Sequence, residues 1–212
     1  MSYIAARREE EKERRRLEII EAAEQLYAES GWDAVTMDQV ARRARLSRAL
    51  LYVYFKDKED LLFAITERAL DELRRRFEAA AAGHELGIDQ VSAMGLAYTL
   101  FQQERPFQFD ACSRYHAHQA HQGAPNEVAC SAGGDAVMEV MVRSLQRGIE
   151  DRSIRPDVGA PLTVCVMLWA FTHGLIQIAT TKGQEIARHG IEAGKFMEEG
   201  RARLREMLAP RA

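Results

Sequence analysis

The stretch TMDQVARRARLSRALLYVYF, residues 36–55, holds two helix starts with room between them only for a tight turn. Thr36 followed three residues later by Gln39 matches a capping box, so a short helix runs from Met37 to about Ala44 with Val40 and Ala41 facing inward. Arg45 and Leu46 make the turn, and Ser47 is a good N-cap for a second helix beginning Arg48, Ala49, Leu50. Two short helices joined this way behind a longer supporting helix form a helix-turn-helix.

Helix geometry then sorts the second helix into an inner and an outer side. At about 100° per residue, Leu51 and Phe55 lie close in projection and anchor the helix to a core together with Leu46. Ala49, Tyr52 and Val53 face the other way, and Tyr54 lies on the flank. Arg48 sits in the first turn, where unpaired backbone N–H groups and the positive helix end favour phosphate. Such a surface offers a duplex a small residue for close approach, an arginine able to pair with guanine, and tyrosine hydroxyls for phosphates or base edges.

Net charge first argues against a nucleic-acid partner, because the chain of 212 residues carries a formal −3. Distribution reverses that argument. Between Thr36 and Lys58 stand Arg42, Arg43, Arg45, Arg48, Lys56 and Lys58 against only Asp38 and Asp57, a local +4. A hydrophobic content of 47% is enough for a real core and excludes a disordered chain. Three cysteines without CxxC spacing fit a reduced, cytoplasmic protein, and the early run RREEEKERRR leaves no room for a secretory signal.

The pattern resembles the amino-terminal domain of the TetR family of bacterial transcriptional regulators. Thr36, Val40, Ala41, Ala44, Arg45, Leu46, Ser47, Ala49, Leu51, Tyr52, Tyr54, Phe55, Lys58 and Leu61 stand at the family's positions. The resemblance implies that Arg48, Ala49 and Tyr52 read bases while Thr36, Ser47, Tyr54 and Lys58 hold phosphates. Lys58 opens the next helix behind the cap Asp57. Two residues depart from the pattern. Arg45 replaces a turn glycine, which costs on the order of 1 kcal/mol if the backbone keeps positive φ, unless its charge is wanted at the DNA. Ala49 replaces another glycine, a change that suits a helix.

Elsewhere apolar residues recur at helical spacing with no alternating strand, so the fold expected is all-α. Ile19, Ala23, Leu26 and Tyr27 mark a first helix that stops at Gly31. The pairs Glu10 with Arg14 and Glu11 with Arg15 extend it by a turn or two, as a solvated leader or as a phosphate contact through Arg14, Arg15 or Arg16. The expected division is a DNA-binding domain at 1–58 and a helical effector-binding and dimerisation domain at 59–212. In the latter a helix from Lys58 to about Ala82 is followed by helices near 88–104, 107–121, 126–151, 157–182 and 191–208.

The stretch LWAFTHGLIQI resembles a late-helix pattern in one branch of the same family, through Trp169, His173 and Gly174. Val164, Leu168, Phe171, Leu175 and Ile178 form one apolar stripe and Val166, Trp169, His173 and Ile176 another, so both sides of this helix need cover. Its length raises the question of a membrane span, but Thr163, Thr172, His173, Gly174 and Gln177 favour burial among protein helices. The resemblance implies a homodimer through a four-helix interface, here Leu168, Phe171, Leu175, Ile178, Met197, Leu204 and Leu208, that sets two reading helices on a near-palindromic operator. It also implies a small-molecule effector, most often one that releases a repressor. Candidate lining residues are Met94, Tyr98, Phe101, Phe107, Phe109, Tyr115, Met138, Met141, Trp169 and His173, which equally suit plain core packing.

A rival reading is a metal sensor built on Cys112, His116, His118 and His121, although His118 lies about 120° from Cys112 in helical projection. No nucleophile elbow, phosphate loop, dinucleotide fingerprint or HExxH pair appears, so neither an enzyme nor a bound cofactor is expected.

Overall fold

Capped starts and glycine or proline stops divide the chain into helices. The computed structural model describes residues 3–114 and 123–211. Among them are ten α-helices, one 3-10 turn at Trp32–Ala34 and no strand: α1 Tyr3–Ser30, α2 Met37–Arg43, α3 Arg48–Tyr54, α4 Lys58–Ala82, α5 Gly87–Glu104, α6 Pro106–Arg114, α7 Pro125–Glu150, α8 Pro161–Thr181, α9 Gly183–Arg188 and α10 Ala193–Leu208. The all-α expectation is met.

Details differ from the sequence reading for local reasons. The charged leader is helical back to Tyr3, beyond the turn or two expected, with Arg14 bonded to Glu11 and Glu18 and Arg15 to Glu18. These i,i+3 and i,i+4 pairs compensate for a stretch almost without apolar anchors. The helix expected from 157 starts at Pro161, a residue suited to the first helical position because it has no N–H to leave unpaired. After it comes the short α9, which the sequence reading did not foresee.

The chain divides into two compact units, Met1–Leu70 with Arg105–Gly133, and Asp71–Glu104 with Gly134–Ala212. In the first, Ile19, Ile20 and Ala23 of α1, Val40 and Ala41 of α2, Leu51 of α3, Phe55, and Leu61 and Ile65 of α4 form one buried cluster. α6 joins α1 through the Tyr27 hydroxyl, which donates to Asp110 at 2.6 Å. Arg114 grips the same carboxylate at 2.7 Å and reaches Asp33 at 3.0 Å. Burial, with the Asp110 carboxylate beside it, drives the Tyr27 phenol well above its ordinary pKa, so it acts as a fixed donor.

In the second unit Ile88, Leu145, Ile154, Val164, Cys165, Leu168 and Leu208 form a separate core. α5 begins against α7 so closely that a Cβ on Gly87 would fall 2.0 Å from the Gly148 nitrogen. Its first N–H groups are satisfied from outside the helix: Gly87 N–H donates to Asp151 at 2.8 Å and Ile88 N–H to Ser153 at 3.1 Å. α10 packs on α8 with Gly200 under Leu175, whose Cδ1 would lie 2.4 Å from a Cβ there.

Candidate nucleic-acid interface

The capping box forms as the sequence predicts. Gln39 N–H donates to the Thr36 hydroxyl at 3.3 Å, and the Gln39 side-chain oxygen accepts from the Thr36 N–H at 2.8 Å and from its hydroxyl at 2.9 Å. α2 then ends in a Schellman turn. Leu46 N–H reaches back to the Ala41 carbonyl at 2.8 Å, Arg45 N–H reaches that of Arg42 at 3.1 Å, and Arg45 itself stands at φ 57°. The turn therefore keeps the left-handed geometry that glycine favours, and Leu46 packs against the cluster holding Val40 and Ala41. Among the described residues Arg45 makes no ion pair, so its charge is available to an outside partner.

Ser47 caps α3 by accepting from Leu50 N–H at 3.2 Å, which leaves the hydroxyl hydrogen free to donate outward. Leu51 and Phe55 are fully buried, whereas Arg48, Ala49 and Tyr52 are exposed and Val53 is 76% exposed. A β-branched residue left this bare beside an arginine and a tyrosine suits contact with a thymine methyl rather than solvent. Tyr54 is half-buried on the flank, its ring against the core.

Two basic residues of the window, Arg43 and Lys58, already hold internal partners. Arg43 makes a two-pronged pair with Glu29 at 2.8 and 2.9 Å, bracing α2 on α1. Lys58 donates to the Trp32 carbonyl at 2.6 Å with its ammonium 4.9 Å from that indole's centre, and burial lowers its pKa. Phosphate contact by Lys58 therefore competes with a bond it already makes. Arg48 leans on Asp38, Nε to Oδ1 at 3.3 Å and Nη1 to Oδ2 at 3.5 Å, with its guanidinium 5.6 Å from the Tyr52 ring centre.

A polar node that sequence reasoning missed fixes the exit of α3. Asp60 accepts from Lys56 N–H at 3.0 Å with one oxygen and from the Asn126 amide at 2.8 Å with the other, while Asn126 accepts from Arg16 at 2.8 Å. Arg16 also lies over the Phe55 ring at 5.7 Å. The phosphate role considered for the leader's arginines thus competes with internal bonds at Arg14, Arg15 and Arg16. Long-range partners such as Arg16 and Asn126 leave no local trace in sequence, although Asp57, which accepts from Asp60 N–H at 2.9 Å, is legible as the cap of α4.

In the second unit Tyr98, Trp169 and His173 do come together: the Trp169 indole donates to the Tyr98 hydroxyl at 3.2 Å, which meets His173 Nδ1 at 3.0 Å. Burial lowers the His173 pKa, favouring the neutral ring. Met94 and Phe101 are buried, and Met138 and Met141 pack on the second unit's core. Phe107 and Phe109 belong to the first unit, Phe107 with its ring 6.0 Å from that of Tyr27, and Tyr115 lies outside the described residues.

Of the seven residues expected at a dimer interface, Leu168, Leu175, Met197 and Leu208 are buried within the second unit and Leu204 packs against its core. Phe171 and Ile178 face outward with Met167 on the same side of α8, while Leu162, Val166 and Trp169 are exposed on another side. For the metal reading, burial beside Cys130 pushes the Cys112 thiol up to about 12, and His116, His118 and His121 lie outside the described residues. Among the described residues no group of three His, Cys, Asp or Glu side chains is placed to hold a metal ion.

Residues 19–65 match the family model described as bacterial regulatory proteins, tetR family. The HTH-type transcriptional regulator HbdR of Aromatoleum sp. (strain CIB) is 43% identical over 70 residues, 31% of each chain, so the match spans under a third of that relative's length. A TetR/AcrR-family transcriptional regulator from Thermobifida fusca YX-ER1 superposes with a TM-score of 0.64 at 25% identity, over 90% of this chain and 96% of the other. The regulator FadR from Bacillus subtilis, solved in complex with stearoyl-CoA, gives a TM-score of 0.69 over 91% of this chain and 98% of its own, a likeness of fold alone at 14% identity.

Proposed function

Because the chain belongs, through its amino-terminal domain, to the TetR family of bacterial regulatory proteins, we propose that it acts as a ligand-responsive repressor. It binds a near-palindromic operator as a homodimer and is released by a small hydrophobic effector. The observation that carries this reading is the two-sidedness of α3, anchored by Leu51 and Phe55 and presenting Arg48, Ala49, Tyr52 and Val53 to solvent. Residues 1–58 supply the DNA-binding domain and 59–212 the effector-binding and dimerisation domain. Arg48, Ala49 and Tyr52 read base edges, while Thr36, Arg45, Ser47, Tyr54 and Lys58 position the phosphates.

The outward apolar face of α8 supports dimerisation in a soluble, cytoplasmic protein. That helix is long and apolar enough to cross a membrane, yet one side of it packs on α5 and α10. Phe171 and Ile178, with Met167 on the same side of the helix, would meet the same face of a second copy. The buried Leu168, Leu175, Met197 and Leu208 support that face from beneath. A mostly apolar second unit with a few polar groups at Tyr98 and His173 suits an effector with an apolar body and a polar end; long acyl thioesters are one such class, as the stearoyl-CoA bound to FadR illustrates.

The test is a duplex from the protein's own promoter, titrated at several salt concentrations alongside sedimentation of the free protein. A dimer whose affinity falls steeply with salt, and falls further on adding long-chain acyl-CoA or another hydrophobic ligand, is expected. A monomer with salt-insensitive binding refutes the reading.

A further inference from the structure

We propose that Asp38 is a specificity-determining residue, a carboxylate that holds Arg48 off the phosphates until two base acceptors replace it. The inference rests on the DNA-binding reading above and deepens it at one side chain. Asp38 lies in the first turn of α2, the only acidic residue between Thr36 and Lys56, and it faces the first residue of α3. Its contact with Arg48 is loose, at 3.3 and 3.5 Å. The bracing pair between Arg43 and Glu29, at 2.8 and 2.9 Å, has the short geometry of a structural bond. The Arg48–Asp38 pair is also mostly exposed, with side-chain exposures of 64% and 54%, where ion pairs contribute little to stability.

What the pair does is restrict a long, flexible cation. With Asp38 on one side and the Tyr52 ring 5.6 Å away on another, the guanidinium is kept beside the outer face of α3 instead of sweeping the surface. A guanine edge offers two acceptors and can displace the carboxylate with a matched two-point contact. A lone phosphate oxygen on a non-cognate duplex offers a poorer exchange and meets the repulsion of Asp38 as well. The carboxylate thus selects against binding by charge alone, at a position where a purely attractive surface would carry none.

A duplex library with a random core is first taken through binding selection with the wild-type protein, giving a preferred sequence and a scrambled control of equal length. Affinities for both are then measured for wild type, Asp38→Asn, Arg48→Ala and the double variant, with thermal melts to confirm folding. Asp38→Asn is expected to bind the scrambled duplex about two- to fivefold more tightly, to change the preferred duplex less, and so to lower the ratio between them. In the Arg48→Ala background the same substitution should shift both duplexes equally. An equal shift in the wild-type background reduces Asp38 to a diffuse repulsive charge and overturns the inference, and an equal loss on both with a lowered melting temperature makes it a helix-start residue and overturns it too. A wild-type protein that enriches no sequence overturns the regulator reading itself, an outcome distinct from either.

Discussion

Arg45 couples a cost in folding to a gain in binding, and one substitution separates the two. It holds φ 57° in the Schellman turn that joins α2 to α3, with Leu46 N–H and Arg45 N–H closing the turn at 2.8 and 3.1 Å. Left-handed backbone costs a residue with a Cβ about 1–2 kcal/mol, and glycine gives back part of that gain through its greater freedom when unfolded. Arg45→Gly is therefore expected to stabilise the fold by about 1 kcal/mol, a rise in melting temperature of about 2–4 °C at this chain length. The same change removes a cation with no internal partner among the described residues. If Arg45 neutralises one phosphate in each half of a dimer, the slope of log affinity against log salt falls by about 1.8, and raising salt fourfold then costs the variant about twelvefold less affinity than it costs wild type. Arg45→Ala is the control: it loses the charge but keeps the strained backbone, so it should match Arg45→Gly in salt slope while melting close to wild type. Melts by circular dichroism and anisotropy titrations over a salt series read both quantities. Equal melting temperatures for the glycine and alanine variants would refute the strain argument, and an unchanged slope in both would refute the phosphate contact.

Gly87→Ala forces a Cβ to within 2.0 Å of the Gly148 nitrogen, a clash with backbone that no rotamer relieves, so unfolding should cost less by at least about 1–3 kcal/mol in denaturant titration; a variant as stable as wild type would contradict the described crossing of α5 and α7. Lys58→Ala removes the bond to the Trp32 carbonyl and the contact with its ring, and is expected to lower stability by about 1–2 kcal/mol without any DNA present, whereas a residue devoted to phosphates would show no such loss. Burial alone would raise the Asp151 carboxyl, but hydrogen bonds from Ser153 and from the backbone N–H groups of Gly87 and Ser153 bring it below the usual carboxylate range. A depressed pKa contributes stability that is present above the unfolded value, about 3.9, and is lost as pH falls through the folded one. The stability gap between wild type and Asp151→Ala should accordingly narrow below about pH 4, and a gap constant from about pH 6 to pH 3 rejects that role.

Local signals carried the reading unit. Thr36, Gln39 and Ser47 cap in the way their spacing announces, and the burial of Leu51 and Phe55 follows from helical projection. The connections that brace this unit were not legible, because Arg16, Asn126 and Asp60 meet across separations that no periodicity records. On α8 the sequence showed that both sides are apolar but not which side a neighbour already covers. The close approach of Gly200 to Leu175 settles that, turning Leu168, Leu175 and Met197 inward and leaving Phe171 and Ile178 outside. Small residues such as Gly200 mark these approaches only once the partner helix is known.

Charge needs the same accounting as apolar surface. The local +4 between Thr36 and Lys58 treats every cation there as available, yet the structure assigns several of them to internal partners. Arg43 is fixed on Glu29, Lys58 on the Trp32 carbonyl, and Arg48 leans on Asp38. Each must give up a bond before it can neutralise a phosphate, so each contributes less net affinity than a free cation would. Arg45, held by backbone geometry and by no counter-charge among the described residues, is the cation of the turn best placed to add its full electrostatic share. Unpartnered charge thus sits at the turn while α3 carries a charge already matched by a carboxylate, so attraction to any duplex and discrimination between duplexes reside in different side chains and can be altered one at a time.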